Sequence, residues 1–223
     1  MKSTKTHLIL KPEPFRYTTY LFDLDGTIIN TSIYQKIYPK ILNMLQKKKS
    51  LSLQTLHRQA TLLNVHKNDN GNWDTGDLCK KLNCSSEYYK ILNTHLKTNH
   101  ILKKHITTTF KKIKQHPEHK IGIVSNSFHK TIQLYITKYN LTKYIDFIYA
   151  SDDNQPPSRK DHLSYWKSLC KKHHLKPHLT LVIGNNPNDD SFVPECLGFH
   201  SYLLEKETDI LKIVWKESKK EES

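Results

Sequence analysis

Arginine is nearly missing. The 223-residue chain has it only at Arg16, Arg58 and Arg159, yet carries a formal net charge of +14. Surfaces built to grip nucleic acid rely on arginine for bidentate contacts to phosphates and base edges. A charge borne by lysine, in scattered clusters at Lys47–Lys49, Lys111–Lys114 and Lys171–Lys172, reads instead as a solvated surface. No stable nucleic-acid complex is expected; attraction of anionic substrates or acidic surfaces stays open. Long apolar runs are missing too. Before Pro12 the N-terminus offers only Leu8–Leu10, too short for a secretory signal, and no stretch is long enough to span a bilayer as a helix. Four cysteines, Cys79, Cys84, Cys170 and Cys196, fit neither a paired zinc knuckle nor a disulfide scaffold. Reduced, mostly buried thiols and a soluble, cytoplasmic protein are the expectation. Internal repeats are absent.

What the chain does have is an apolar strand ending in two acids. Thr18, Thr19, Tyr20, Leu21 and Phe22 are β-branched, aromatic or aliphatic and predict a strand. Asp23 and Asp25 follow, with Gly26 free to bend sharply away. Residues two apart in extended chain point the same way, so both acids are expected to face one pocket. Carboxylates that close repel each other, and a divalent cation is the usual remedy.

Beyond this strand the pattern is helical. Ile33, Tyr34, Ile37, Tyr38, Ile41, Leu42 and Leu45 form an apolar stripe at helical spacing, which Pro39 is expected to kink or split. Leu53, Leu56, Ala60 and Leu63 make a second stripe, and Asn68–Gly76 is a polar turn region. Short helices are expected near Asp77–Leu82 and Ser86–His95, then a longer one traced by Ile101, Leu102, His105, Ile106, Phe110 and Ile113. At Ile121–Val124 the pattern changes to short apolar strands alternating with helices: His129–Tyr139, Asp146–Ala150, Asp161–His173, Leu179–Ile183, Ser201–Leu204 and a terminal helix near Thr208–Trp215. Such alternation predicts βαβ units, hence an α/β fold with a parallel sheet covered on both faces. The lead-in Met1–Tyr17, with Pro12 and Pro14, is expected to be extended, and the charged tail Lys216–Ser223 to be frayed.

Ligands of open α/β sheets lie beyond the carboxyl ends of the strands, so the residues following each strand matter. After Val124 come Ser125, Asn126 and Ser127, a hydroxyl and backbone amides opening a helix, suited to a phosphate oxygen; alternatively Ser125 only caps that helix. After the third strand come Arg159 and Lys160 at a helix start. After Ile183 comes Gly184-Asn185-Asn186-Pro187-Asn188-Asp189-Asp190.

Taken in this order, Phe22-Asp23-Leu24-Asp25-Gly26-Thr27, Ser125, Lys160 and Gly184 through Asp190 resemble the four motifs of the haloacid dehalogenase-like (HAD) hydrolases, most of which are phosphatases. The likeness covers about Thr18 to Leu204 except the helical insertion. It implies a three-layer, Rossmann-like parallel sheet, residues 1–30 and 106–223, with an all-helical cap inserted at 31–105. In the third motif Lys160 is the choice and Arg159 the competitor, and Asp161 stands where a proline usually follows. In the fourth, Asp190 has the commonest spacing from the glycine and Asp189 is the alternative. Asn185 replaces the first acid, which implies a less anionic, weaker metal site.

The resemblance implies a mechanism. Asp23 attacks phosphorus and forms an aspartyl-phosphate, while Asp25 serves as general acid and then base. Mg2+ sits among Asp23, the backbone carbonyl of Asp25, Asp190 and Asn185. Ser125, Asn126 and Lys160 bind the phosphate, and Thr27 steadies the loop. An acid at position 25 favours phosphate esters over carbon–halogen bonds, since an alcohol leaving group needs a proton. The expected partner is a phosphorylated small molecule, such as a nucleotide or sugar phosphate, or a phosphoprotein carrying phosphotyrosine. A different class of reading is a weakened binding module whose basic surface docks to nucleic acid or acidic membrane. Tyr34, Tyr38, Tyr88 and Tyr89 of the insertion are candidates for pocket lining or, for most of them, packing, and His57, His66, His95 and His100 for pocket lining or, in preference, exposure.

Overall fold

A computed structural model of the chain describes residues 17–67, 71–154 and 156–214. Five strands form one sheet in the order β3-β2-β1-β4-β5, every pair parallel. They are β1 (Thr19–Asp23), β2 (Lys120–Val124), β3 (Phe147–Tyr149), β4 (Thr180–Gly184) and β5 (His200–Leu203). β1 is central and buried along its whole length, as its unbroken apolar run requires of a strand covered on both faces. Its register sets Asp23 beside Val124 of β2 and Phe22 beside Ile183 of β4. The chain leaves β1 toward β2 and β3, then returns to add β4 and β5 on the other side. The carboxyl ends of β1, β2 and β4 therefore enclose the point where the strand order reverses, and that is where such sheets bind ligands.

Alternate residues of β1 feed opposite faces. Phe22 joins a core with Phe110, Ile123, Ile132, Ile183 and Ile210, whereas Leu21 joins Val124, Tyr149, Trp166, Leu169 and Val182. The first face is covered by α5 (Ile106–Ile113), α6 (His129–Lys138) and the closing helix Glu207–Val214, the second by α7 (Leu163–His173). Three layers result. Gly122 is required where they meet, because a Cβ there would lie 2.4 Å from the Phe147 ring.

Between β1 and β2 lie α1 (Ser32–Lys49), α2 (Leu53–Leu62), α3 (Thr75–Lys81) and α4 (Ser85–Thr98). The predicted stripe is buried at Ile33, Ile37, Ile41, Leu42 and Leu45. Pro39 does not split α1. It and Gln35, whose carbonyl loses the helical donor, both lie on the exposed face, where solvent takes over that bond. Asp74 and Ser52 cap α3 and α2 by accepting from the amides of Asp77 and Thr55, at 3.0 and 3.1 Å.

One predicted element needs correcting. Ile101 and Leu102 are not helical. They run extended beside Ile28–Asn30, with the Asn30 amide donating to the Ile101 carbonyl at 2.7 Å and the Lys103 amide to the Ile28 carbonyl at 2.9 Å. The two chain crossings between the α1–α4 segment and the sheet are thereby tied together, and α5 begins only at Ile106. The terminal helix is of the 3-10 kind and starts at Glu207. Met1–Arg16, Asn68–Asn70 of the polar turn, and Trp215 with the charged tail lie outside the described residues. All four cysteines are free: Cys79 and Cys84 are buried, Cys170 is half-buried and Cys196 is exposed. No helix among the described residues is long and apolar enough to cross a membrane.

Candidate active site

The end of β1 sets the site. Asp23, only 6 % exposed, is its last residue, and the chain then turns through Gly26, whose φ of +83° suits glycine. A Cβ on Gly26 would also meet the Asn185 side chain at 2.7 Å, so this turn and the loop after β4 pack directly. Thr27 is fully buried, and its hydroxyl donates to Asn185 Oδ1 at 3.3 Å.

Asp23 faces a buried cation. Lys160 Nζ lies 2.5 Å from Asp23 Oδ1 and 2.5 Å from Asp190 Oδ1, in surroundings that leave the lysine side chain 2 % exposed. Asp190 is held from behind: its Oδ2 accepts from the amides of Asn185 and Asn186 at 3.0 and 2.9 Å. That carboxylate folds over Gly184, where a Cβ would lie 2.1 Å from it. Lys160 is fixed by its backbone, which donates to Asn126 Oδ1 at 2.8 Å and accepts from the Trp166 indole at 2.8 Å. Of the two pairs of competitors, Lys160 and Asp190 are the inner residues. Arg159 also reaches the cavity wall, and Asp189 accepts from Asn126 Nδ2 at 2.9 Å.

One ammonium among several acids leaves negative charge in excess. Burial pushes the Asp23 carboxyl up to about 8; Lys160 opposes the rise, and Asp190 and Asp25 add to it. Burial works against the charge on Lys160, but the Asp190 and Asp23 carboxylates outweigh it and hold the amine above its ordinary value.

Asp25 has separate partners. Its Oδ1 accepts from the Tyr34 hydroxyl at 2.8 Å and its Oδ2 from the Ser127 hydroxyl at 3.0 Å. Burial raises its carboxyl above the ordinary range, and these two hydrogen bonds restrain the rise. Ser125, 1 % exposed, does not cap α6, whose first residue is His129. Its Oγ accepts from the Ser127 amide at 3.0 Å, and its own amide is taken by the Tyr149 carbonyl and the Tyr165 hydroxyl, each at 3.1 Å. Asn126 acts as a brace, linking Lys160 to Asp189.

The candidate catalytic, phosphate-binding and metal-binding residues line one cavity of about 660 Å³: Asp23, Asp25, Ser125, Asn126, Arg159, Lys160, Asn185, Asp189 and Asp190. The helical segment supplies the facing wall with Tyr34, Tyr38, Tyr88, Trp73 and His66. Tyr89, His57, His95 and His100 are not on it. His57, His66 and His100 are exposed and His95 is half-buried. Sequence reasoning missed Trp73 and Asp74, which sit in the polar turn region, and the role of Ser127, two residues past a predicted phosphate ligand.

A hard divalent cation fits this donor set. Among the described residues no three acidic, histidine or cysteine side chains gather as a ready-made metal cluster, but Asp23 and Asp190 both lie 2.5 Å from the one Lys160 ammonium. Magnesium is commonly held by one or two carboxylates plus substrate phosphate and water. The amide oxygen of Asn185 is the remaining neighbour, and no soft donor is present.

Comparison with known proteins bears on the family and the fold. The family model for haloacid dehalogenase-like hydrolases matches residues 20–191. A HAD phosphatase from Thermococcus onnurineus superposes with a TM-score of 0.65 at 17% identity, over 84% of this chain and 86% of that one. The magnesium-bound HAD hydrolase YfnB of Bacillus subtilis gives 0.58 at 17% identity, over 89% and 99%. A variant of CbbY from Rhodobacter sphaeroides, in complex with xylulose-(1,5)-bisphosphate, gives 0.59 at 12% identity, over 83% and 84%. No curated protein sequence matches. At these identities the solved structures speak for the fold alone, whereas the family model spans most of the chain and both ends of its motif set. The chain belongs to the haloacid dehalogenase-like hydrolase family.

Proposed function

We propose that this protein is a magnesium-dependent phosphomonoester hydrolase. In this reading it acts through an aspartyl-phosphate on Asp23, and its substrate is a small phosphorylated metabolite such as a nucleotide or sugar phosphate. The observation that carries it is the division of labour between two acids at the end of one strand. Asp23 lies against the Lys160 ammonium at 2.5 Å, while Asp25 is held apart by two hydroxyls in the same cavity. A carboxylate beside a fixed cation is suited to attack an anionic ester, and a buried carboxyl with a raised proton affinity is suited to give a proton away.

The steps follow from these residues. Asp23 Oδ attacks phosphorus, and the bond to the leaving oxygen breaks. Asp25 gives its proton to that oxygen, so that an alcohol departs. Asp25, now a carboxylate, takes a proton from the water that hydrolyses the aspartyl-phosphate and is reset. Lys160 and the Ser125 hydroxyl bind phosphate oxygens and offset the charge that builds as two anions approach. Magnesium, when bound, would be held by Asp23, Asp190, the backbone carbonyl of Asp25 and the Asn185 amide oxygen, and would neutralise the phosphate against Asp23.

Two features favour a small metabolite over a phosphotyrosine side chain. The segment from 31 to 105, read as a cap, shares the cavity wall with the strand ends. Gln35, Asn72, Asn186 and Asn188 beside Tyr38 and Trp73 suit hydroxyls and the face of a sugar or base. The CbbY variant, which shares the fold, is bound to a phosphorylated sugar, in line with this choice. The test is p-nitrophenyl phosphate turnover with magnesium, wild type against Asp23→Asn. Activity is expected in the first and only background in the second. Turnover retained by the variant would overturn the proposal.

A further inference from the structure

The hydroxyls around Asp25 form a directed chain. Tyr135, 1 % exposed on α6, donates its only hydroxyl hydrogen to the Tyr34 oxygen at 3.2 Å. The Tyr34 hydrogen is then left for Asp25 Oδ1, at 2.8 Å. A phenol has one O–H to give, so each link fixes the next. Asp25 Oδ1 thus faces a donor whose hydrogen cannot turn away. Oδ2 faces Ser127 at 3.0 Å, and a serine hydroxyl rotates freely between donating and accepting.

From this asymmetry we propose that Tyr34 is a positioning residue that makes Oδ2 the proton-carrying edge of Asp25. It does so by occupying Oδ1 from the helical segment, with Tyr135 fixing its direction. The proposal rests on the reading of Asp25 as general acid and goes beyond it by naming the atom and what selects it. In the step concerned the Oδ2–H bond breaks and the leaving oxygen gains that hydrogen, while the bond from phosphorus to that oxygen breaks and its electron pair stays with the oxygen. Ser127 accepts from the Oδ2 hydrogen until the leaving oxygen takes its place as acceptor, and donates to Oδ2 once the proton has gone. Tyr34 belongs to α1, whereas Asp25, Ser127 and Tyr135 belong to the sheet domain and its helix. The acid is therefore aligned only while α1 is seated against the strand ends.

The test is the dependence of kcat/KM on leaving-group acidity across a series of substituted phenyl phosphates, with magnesium saturating. These esters are matched in size, and acidic phenols leave without a proton, so a misaligned acid harms only the less acidic end. Tyr34→Phe keeps the ring and loses the hydroxyl. It is expected to steepen the dependence, losing about tenfold more on phenyl phosphate than on p-nitrophenyl phosphate, as fits loss of part of a general-acid contribution of roughly 10²–10⁴. Tyr135→Phe, one link further out, is expected to shift the slope the same way by less. A uniform fall across the series, or no change in slope in either variant, would overturn the proposal. Asp25→Asn separates the two levels. If it steepens the dependence and the tyrosine variants do not, only the positioning role fails; if it does not steepen it, the general-acid reading of Asp25 fails.

Discussion

Removing the Lys160 ammonium gives the sharpest test of the site's electrostatics. Lys160→Met keeps most of the buried stem and deletes the charge. At 2.5 Å from Asp190, and with an effective dielectric of about 20, that ion pair has a gross attraction of roughly 7 kcal/mol; the Asp23 pair, also at 2.5 Å, reaches it only above about pH 8, where Asp23 is ionised. Desolvation of all three groups cancels much of this, and breaking a buried pair typically leaves a net loss of about 3–5 kcal/mol. That is a large part of a total stability of about 5–15 kcal/mol. The loss depends on pH with a definite sign. Asp23 is raised in the fold to about 8, so wild-type stability falls as pH climbs from the unfolded carboxylate value toward 8. Lys160 holds that value down; without it Asp23 keeps its proton to higher pH. Between pH 8 and 9 the native variant then retains a proton that the native wild type has released, and its stability drops faster by up to about 1.4 kcal/mol per pH unit. Urea unfolding in EDTA at pH 6 and pH 9 reads both effects. The expected result is a loss of about 3 kcal/mol or more, wider at pH 9 than at pH 6 by about 1 kcal/mol. A loss below about 1 kcal/mol, or a gap that narrows as pH rises, would refute the reasoning.

Three further outcomes are expected. Gly184→Ala puts a Cβ 2.1 Å from the Asp190 carboxyl; it should lower stability by about 1–3 kcal/mol in urea unfolding and weaken magnesium-dependent turnover, and a neutral result would contradict the packing. Asn185→Asp adds a charged ligand, so the magnesium concentration for half-maximal activity should fall on the order of tenfold; an unchanged or higher midpoint counts against Asn185 as a neighbour of the ion. Because Asp23 holds a proton up to about 8, magnesium must displace it at lower pH. The midpoint for thermal stabilisation by magnesium should therefore drop about tenfold per unit from pH 6 to 8 and then level off, and a flat profile would place the ion elsewhere.

The sheet was legible because its strands are buried on both faces, and buried strands read as short apolar runs. β1 and β4 both lie within one residue of where Thr18–Phe22 and Leu179–Ile183 predict them. The candidate residues could be picked out because Asp23 ends a strand and the others come after one, in a sheet whose strand ends must converge. Ile101 and Leu102 misled because they lie at helical spacing from His105 and Ile106, while the Ile101 carbonyl and the Lys103 amide pair with Asn30 and Ile28, some seventy residues earlier. No local pattern reveals such a pairing. Pro39 leaves α1 unsplit because it lies on the exposed face, of which propensity takes no account. The partners of Asp25 were hidden for the same reason as the Ile101 pairing. Tyr34 sits in a stripe that reads as packing, and Tyr135 meets it across 101 residues of chain. Only the tertiary fold brings the Tyr34 hydroxyl of α1 to that carboxylate and the Tyr135 hydroxyl of α6 to Tyr34.

The most direct measurement is chemical capture of the covalent intermediate. Protein quenched in acid during turnover of a phosphate ester with magnesium, then reduced with borohydride and digested, should carry homoserine in place of Asp23. Asp23→Asn should carry none and turn nothing over. Robust turnover with position 23 never modified, or with the adduct on another side chain, would contradict the account.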